Sequence, residues 1–159
     1  MWLRETARDL TALGGFTVLT LVTLTAIAVL VVYTRRRQAV VFGVTVVAAQ
    51  IIAEAIKSFV GRARPTLVTQ YDIVASSSFP SGHSLMAPAV YFTLAAIVAA
   101  AEIRPAARAL LMAGSVLLVV AIGVSRVYLG VHWPTDVIAG WTLGSAIALL
   151  AWIALRGAR

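Results

Sequence analysis

The sequence predicts an all-α fold: a polytopic membrane bundle of five transmembrane helices plus a short N-terminal interfacial helix. Three observations carry this prediction. Of 159 residues, 61% are hydrophobic and only 12% are charged, against about 45–50% and about 25% in ordinary soluble domains. The apolar residues lie in runs near the roughly 20 residues needed to cross a bilayer as a helix. These runs are too long and too continuous for the alternating strands of a membrane β-barrel. Disorder is excluded by the same composition, and cysteine is absent, which removes disulfide and thiol chemistry.

The elements follow in order. Met1 to Ala12, MWLRETARDLTA, sets Trp2, Leu3 and Leu10 among Arg4, Glu5, Arg8 and Asp9. This pattern suits an amphipathic helix lying in the interface. The segment lacks the basic, apolar and cleavage regions of a signal peptide. We divide the chain accordingly into residues 1–12, an interfacial helix, and 13–159, a five-span membrane domain. The spans are expected at Gly14–Tyr33, Gln38–Val60, Ser84–Ala101, Ala109–Gly130 and Asp136–Leu155. Pro88 predicts a kink in the third span. Gly140, Gly144 and Ala148 form a small-residue face on the fifth, suited to close helix packing. Trp2, Trp133 and Trp152 fit an interfacial belt, and Trp141 is expected to face lipid or a substrate groove.

Charge placement orients the bundle. The net charge is +7, from 13 Lys and Arg against 6 Asp and Glu. Arg35, Arg36, Arg37, Arg104, Arg108, Arg156 and Arg159 fall on one side, which the positive-inside rule makes cytoplasmic. Arg4, Arg8, Lys57, Arg62, Arg64 and Arg126 fall on the other. Lys57, Arg64 and Arg126 border or enter spans, where a charge is costly and commonly functional. With those three set aside, seven cations face three, and the 61–83 loop is placed outside. The basic excess is thus accounted for without nucleic acid as a partner. Arg62 is left as a headgroup contact.

At that outer end the topology gathers Lys57, Arg64, Ser81, Gly82, His83, Arg126, His132 and Asp136. Three cations and a hydroxyl suit a multiply charged oxyanion, above all a phosphoryl group. Ser81, Gly82 and His83 open a helix, so backbone N–H groups and the helix dipole face the anion. His132 and Asp136 are four residues apart, which lets the carboxylate orient the imidazole as nucleophile or general base. His83 is then available as general acid. Glu54, with Gln50 and Lys57, makes a polar stripe on one helix face, and is expected to support the Lys57 ammonium. No cluster with metal-ligand spacing is visible. Tyr71 and Asp72 are the candidate selectivity elements of the 65–79 loop.

Three blocks carry a resemblance: Lys57…Arg64-Pro65, Pro80-Ser81-Gly82-His83, and Ser125-Arg126…His132…Asp136. They are similar to the signature of the type 2 phosphatidic acid phosphatase family, with every position filled at the family's spacing. The resemblance implies a membrane lipid phosphatase that needs no metal or other cofactor. It implies His132 as the nucleophile of a phosphohistidine intermediate, oriented by Asp136, with His83 protonating the leaving alkoxide. Lys57, Arg64, Ser81, Gly82 and Arg126 would hold the phosphate. The substrate candidates are phosphatidate, phosphatidylglycerophosphate and undecaprenyl diphosphate. Many family members have six spans, so the first is expected to be missing here. The rival from another class is a non-catalytic phospholipid-binding or transport protein of the same fold; a vanadate-binding haloperoxidase is disfavoured because that branch is soluble.

Overall fold

The computed structural model describes residues 2–66, 71, 76–100 and 104–157. Six α-helices make up these residues, with no strand among them: α1 Trp2–Ala12, α2 Phe16–Val32, α3 Arg36–Val60, α4 Gly82–Ala100, α5 Pro105–Tyr128 and α6 Pro134–Arg156. Helices α3, α4, α5 and α6 are each long and apolar enough to cross a membrane. Helix α2, at 17 residues, counts as a fifth span only together with α1, from which it is bent by 41°. The expected span limits agree with the observed helices to within a few residues at most ends. Asp72 and Arg159 lie outside the described residues.

The centre of the bundle is α4. It packs most extensively on α6, then on α5 and α3, and buries Leu85, Ala89 and Val90 against Phe42, Ala49 and Ala53 of α3. The outward faces of the other helices stay apolar, as lipid contact requires. Pro88 sits inside an unbroken α4. The small-residue face of α6 meets α4 as anticipated. A Cβ on Gly140 would lie 2.8 Å from Ser84 Cβ, and one on Gly144 only 2.1 Å from the Leu85 carbonyl oxygen and 2.6 Å from Pro88 Cγ. The two backbones therefore approach at a distance that only glycine permits. In a bilayer, where apolar burial drives helix association little, such close van der Waals contact holds helices together.

Trp141 corrects the sequence expectation. Its indole N–H donates to the Val119 carbonyl at 3.1 Å, and its ring fills the notch left by Gly123, where an added Cβ would lie 2.3 Å from Cζ2. It therefore locks α6 to α5 rather than facing a groove. At the elbow between α1 and α2, Gly14 and Gly15 pass over α4, and the Tyr91 hydroxyl donates to the Leu13 carbonyl at 2.7 Å. Helix α1 crosses α5, burying Ala7 and Thr11.

Gly144→Ala should separate α4 from α6 and lower the melting temperature in detergent by several degrees, from an overpacking cost of about 1–3 kcal/mol. Gly114→Ala, whose Cβ would meet nothing within 4 Å, should leave it unchanged. Equal melting of the two variants would contradict this packing.

Candidate active site

The site forms where three segments meet: the end of α3 with residues 61–66, the start of α4, and the turn joining α5 to α6. Gly61 caps α3 in the left-handed region (φ 59°), and its N–H returns to the Lys57 carbonyl at 3.1 Å. Beyond this cap Arg62 and Arg64 diverge toward different groups. Both reach the α5–α6 turn, and each finds a different partner.

Arg64 faces His132. Its Nη1 donates to the Val131 carbonyl at 2.6 Å and approaches His132 Nε2 at 3.2 Å, while Nε donates to the Ser76 carbonyl at 2.9 Å. A guanidinium carries only donors, so Nε2 meets it with its lone pair and the imidazole proton resides on Nδ1. Arg62 faces Asp136. Its Nη1 lies 2.7 Å from Asp136 Oδ1 and 2.8 Å from Thr135 Oγ1, with the guanidinium 5.5 Å from the centroid of the Trp133 ring. The sequence reading of Arg62 as a headgroup contact is thereby corrected.

Asp136 is completely buried. Its Oδ2 accepts the Ser78 hydroxyl at 2.5 Å and the Trp133 backbone N–H at 2.9 Å. The second of these is the reciprocal half of a capping box, Asp136 standing at the third position of α6. Ser78, also fully buried, lies 3.5 Å from His132 Nδ1. Asp136 Oδ2 itself stands 3.6 Å from Nδ1, too long for a hydrogen bond. The carboxylate thus faces the imidazole across a contact shared with Ser78. The expected direct bond is replaced by a three-membered cluster.

His132 is itself buried, and its pKa is pushed down from 6.5 to about 3. Burial is the main cause, and the positive charges of Arg64 and Arg126 add to it. The imidazole is therefore neutral at physiological pH. Because the unfolded chain takes up a proton near pH 6.5 and the folded site only near pH 3, this group lowers stability progressively as pH falls through that window.

The remaining residues surround this core. Arg126, almost fully buried, donates from Nη1 to Thr11 Oγ1 of α1 at 3.0 Å. Ser81 is fully buried; its N–H donates to the Asp136 carbonyl at 3.1 Å, and its Oγ accepts the Ser84 hydroxyl at 2.9 Å. Gly82 leaves room for Lys57, since a Cβ there would stand 3.2 Å from Nζ. Glu54 Oε1 lies 3.5 Å from that Nζ and accepts Gln50 Nε2 at 3.3 Å. With Glu54 exposed, this pair is worth about 0–1 kcal/mol. His83 packs under the elbow, where a Cβ on Gly14 would lie 3.4 Å from its Cβ and Cδ2. Tyr71 is gripped by α1: Arg4 donates to its hydroxyl at 3.1 Å, and Arg8 to its carbonyl at 2.8 Å.

A second feature adjoins these residues. A cavity of about 320 Å³ runs between α2, α3 and α4. Lys57, Gly82 and His83 stand at its polar end; Phe16, Leu19, Val46, Val47 and Met86 line the rest.

Sequence reasoning missed Arg62, Ser78 and the Gly14–Gly15 elbow. The signals available were a second arginine two residues before Arg64 and the serine run 76–78 just ahead of Pro80.

These features define a multi-pass helical membrane protein with a cluster of cations around a neutral, buried histidine. The chain belongs to the PAP2 superfamily, whose family model matches residues 38–159. It is 33% identical over 102 residues to phosphatidylglycerophosphatase B of Bacillus subtilis, covering 64% of this chain and 50% of that protein. It is 40% identical over 74 residues to the undecaprenyl-diphosphatase of Sulfolobus acidocaldarius, covering 46% and 32%. The chain therefore spans half or less of these relatives' length. Its structure superposes on the crystal structure of the transmembrane PAP2-type phosphatidylglycerolphosphate phosphatase from Bacillus subtilis with a TM-score of 0.89 and 28% identity, over 94% of this chain and 75% of that one.

With ¹⁵N-histidine labelling and His83→Gln to assign the two rings, NMR should find His132 neutral and protonated on Nδ1 at pH 5. An imidazolium signal from His132 at that pH would contradict the site as described.

Proposed function

We propose that the protein is a membrane-embedded lipid phosphate or pyrophosphate phosphatase that works through a phosphohistidine on His132. The observation that carries this reading is Arg64 Nη1 poised 3.2 Å from the lone pair of a buried, neutral His132 Nε2. An arriving phosphoryl oxygen offers the guanidinium a stronger, charged acceptor. Arg64 then turns to the phosphate and exposes Nε2 in line with phosphorus. Lys57, Arg126 and the first N–H groups of α4 at Gly82 and His83 face the other equatorial oxygens, and Ser81 fixes that helix start to α6.

Nε2 attacks phosphorus, the bond from phosphorus to the leaving oxygen breaks, and His83 gives that oxygen its proton. The positive charge that develops on the imidazole is met at Nδ1 by Asp136 and Ser78. In the second step water attacks the phosphohistidine, His83 takes a proton from that water, the N–P bond breaks, and inorganic phosphate leaves. Asp136 acts as an orienting and charge-balancing group; Arg62 and Ser78 act through it as positioning residues, and Glu54 supports Lys57.

The roughly 320 Å³ cavity supports a lipid substrate. It joins the Lys57–His83 end to an apolar slot between helices, so a phosphate and the first part of its chain fit it together. Phosphatidate, phosphatidylglycerophosphate and undecaprenyl diphosphate all meet this requirement. The arginine bias favours an active site on the outer face of the cell membrane, five spans with α1 lying in the interface, and the division at residues 12 and 13 given above.

Purified protein should release phosphate from at least one of the three lipids. His132→Ala should reduce the rate by about 1,000-fold or more and abolish an acid-labile phosphoprotein trapped during turnover. Arg62→Gln should lower kcat by up to about 100-fold, the scale of a misplaced catalytic group, with KM little changed. Equal release by wild type and His132→Ala on every lipid would favour the non-catalytic binding protein.

A further inference from the structure

A second cavity lies away from the catalytic cluster. It measures about 930 Å³ and opens between α3, α4, α5 and α6 at the opposite end of the bundle. Ile97 is 14 residues along α4 from His83, so the two ends lie about 21 Å apart along the helix axis. Phe92, Ile97, Met112, Val116, Leu149 and Trp152 form its walls. Arg35, Arg37, Arg108 and Arg156 stand among its lining residues, with no acidic residue among the described residues there.

These four arginines are not equivalent. Arg37 donates from Nη1 to the Leu155 carbonyl at 3.4 Å and from Nη2 to the Ala154 carbonyl, satisfying the C-terminus of α6. Arg156 lies over the Trp152 ring at 3.7 Å. Arg35 and Arg108 come from different helix starts and engage no partner among the described residues. They are exposed at the cavity. The apolar walls of a chamber this size inside a bilayer favour lipid tails over water. Two uncommitted guanidiniums beside it favour a phosphate-bearing headgroup with net negative charge over a zwitterionic one.

We propose that this cavity is a binding site for an anionic glycerophospholipid drawn from the leaflet opposite the catalytic cluster. The acyl chains occupy the space lined by Phe92, Met112 and Trp152, and the headgroup phosphate bridges Arg35 and Arg108. The lipid thereby ties the start of α3 to the start of α5. It acts as a structural ligand, chemically distinct from the substrate because its phosphate is a diester with no terminal phosphomonoester or diphosphate to cleave, and it sits at the far end of the bundle. The proposal depends on the membrane bundle alone and not on the phosphatase reading.

The test is native mass spectrometry of the detergent-purified, delipidated chain, with melting temperature as a second readout, using dioleoyl phosphatidylglycerol and dioleoyl phosphatidylcholine. Wild type should bind phosphatidylglycerol about tenfold or more tightly than phosphatidylcholine, and only phosphatidylglycerol should raise its melting temperature. The double variant Arg35→Gln/Arg108→Gln should lose this preference while its lipid-free melting temperature stays at the wild-type value. Because that variant leaves Lys57, Arg64 and Arg126 untouched, adducts held at the catalytic end would survive in it. Ala96→Phe, which fills the chamber from α4, should weaken both lipids. Equal affinity of wild type for the two lipids, or an undiminished preference in the double variant, would overturn the proposal. So would displacement of bound phosphatidylglycerol by sn-glycerol 3-phosphate, which would indicate a headgroup-only site.

Discussion

Asp136 is a carboxylate held wholly out of water, and the arrangement of the catalytic end follows from how its charge is met. Removing a carboxylate from water costs several kcal/mol even after relaxation, so every lone-pair direction must be answered. Arg62 answers Oδ1, and Ser78 and the Trp133 N–H answer Oδ2. The backbone carbonyl of the same residue accepts Ser81 N–H. One residue thereby joins the segment after α3, the approach to α4 and the start of α6. The three sequence blocks that carry the chemistry are held together by the compensation of a single buried charge.

This cluster also explains why His132 remains neutral. Its immediate surroundings are low in water and rich in guanidinium, and the nearest carboxylate is already engaged by Arg62. Burial sets this state first, with the charges of Arg64 and Arg126 adding to it. A histidine of low basicity keeps its lone pair available over the whole physiological range. In the proposed reaction, a dianionic phosphoryl group between Arg64 and Arg126 would shift this balance and let the imidazole carry the charge of the covalent state.

Much of this was legible in the chain. Apolar runs marked the helices, and the spacing of Lys57, Arg64, His83, Arg126, His132 and Asp136 placed their side chains at one end. What the sequence did not disclose were relations set by tertiary geometry. Arg62 and Ser78 look like ordinary loop residues until the 61–66 stretch is laid against the α5–α6 turn. The Trp141–Gly123 lock depends on the rotation of α6 about its axis, which a helix with apolar residues all round does not encode in its pattern. Likewise, 17 residues of α2 and 11 of α1 read as a span and an interfacial helix, while the 41° bend between them comes from the Gly14–Gly15 elbow over His83.

The most direct measurement of the central claim is a structure of the protein with orthovanadate, which adopts the trigonal-bipyramidal geometry of phosphoryl transfer. Vanadium should be bonded to His132 Nε2, with Arg64 withdrawn from that nitrogen onto a vanadate oxygen, Lys57 and Arg126 on the others, and the Asp136–Arg62–Ser78 cluster unmoved. Vanadate bound elsewhere, or bound with Arg64 still on Nε2, would contradict the assignment of His132 as the nucleophile of this site.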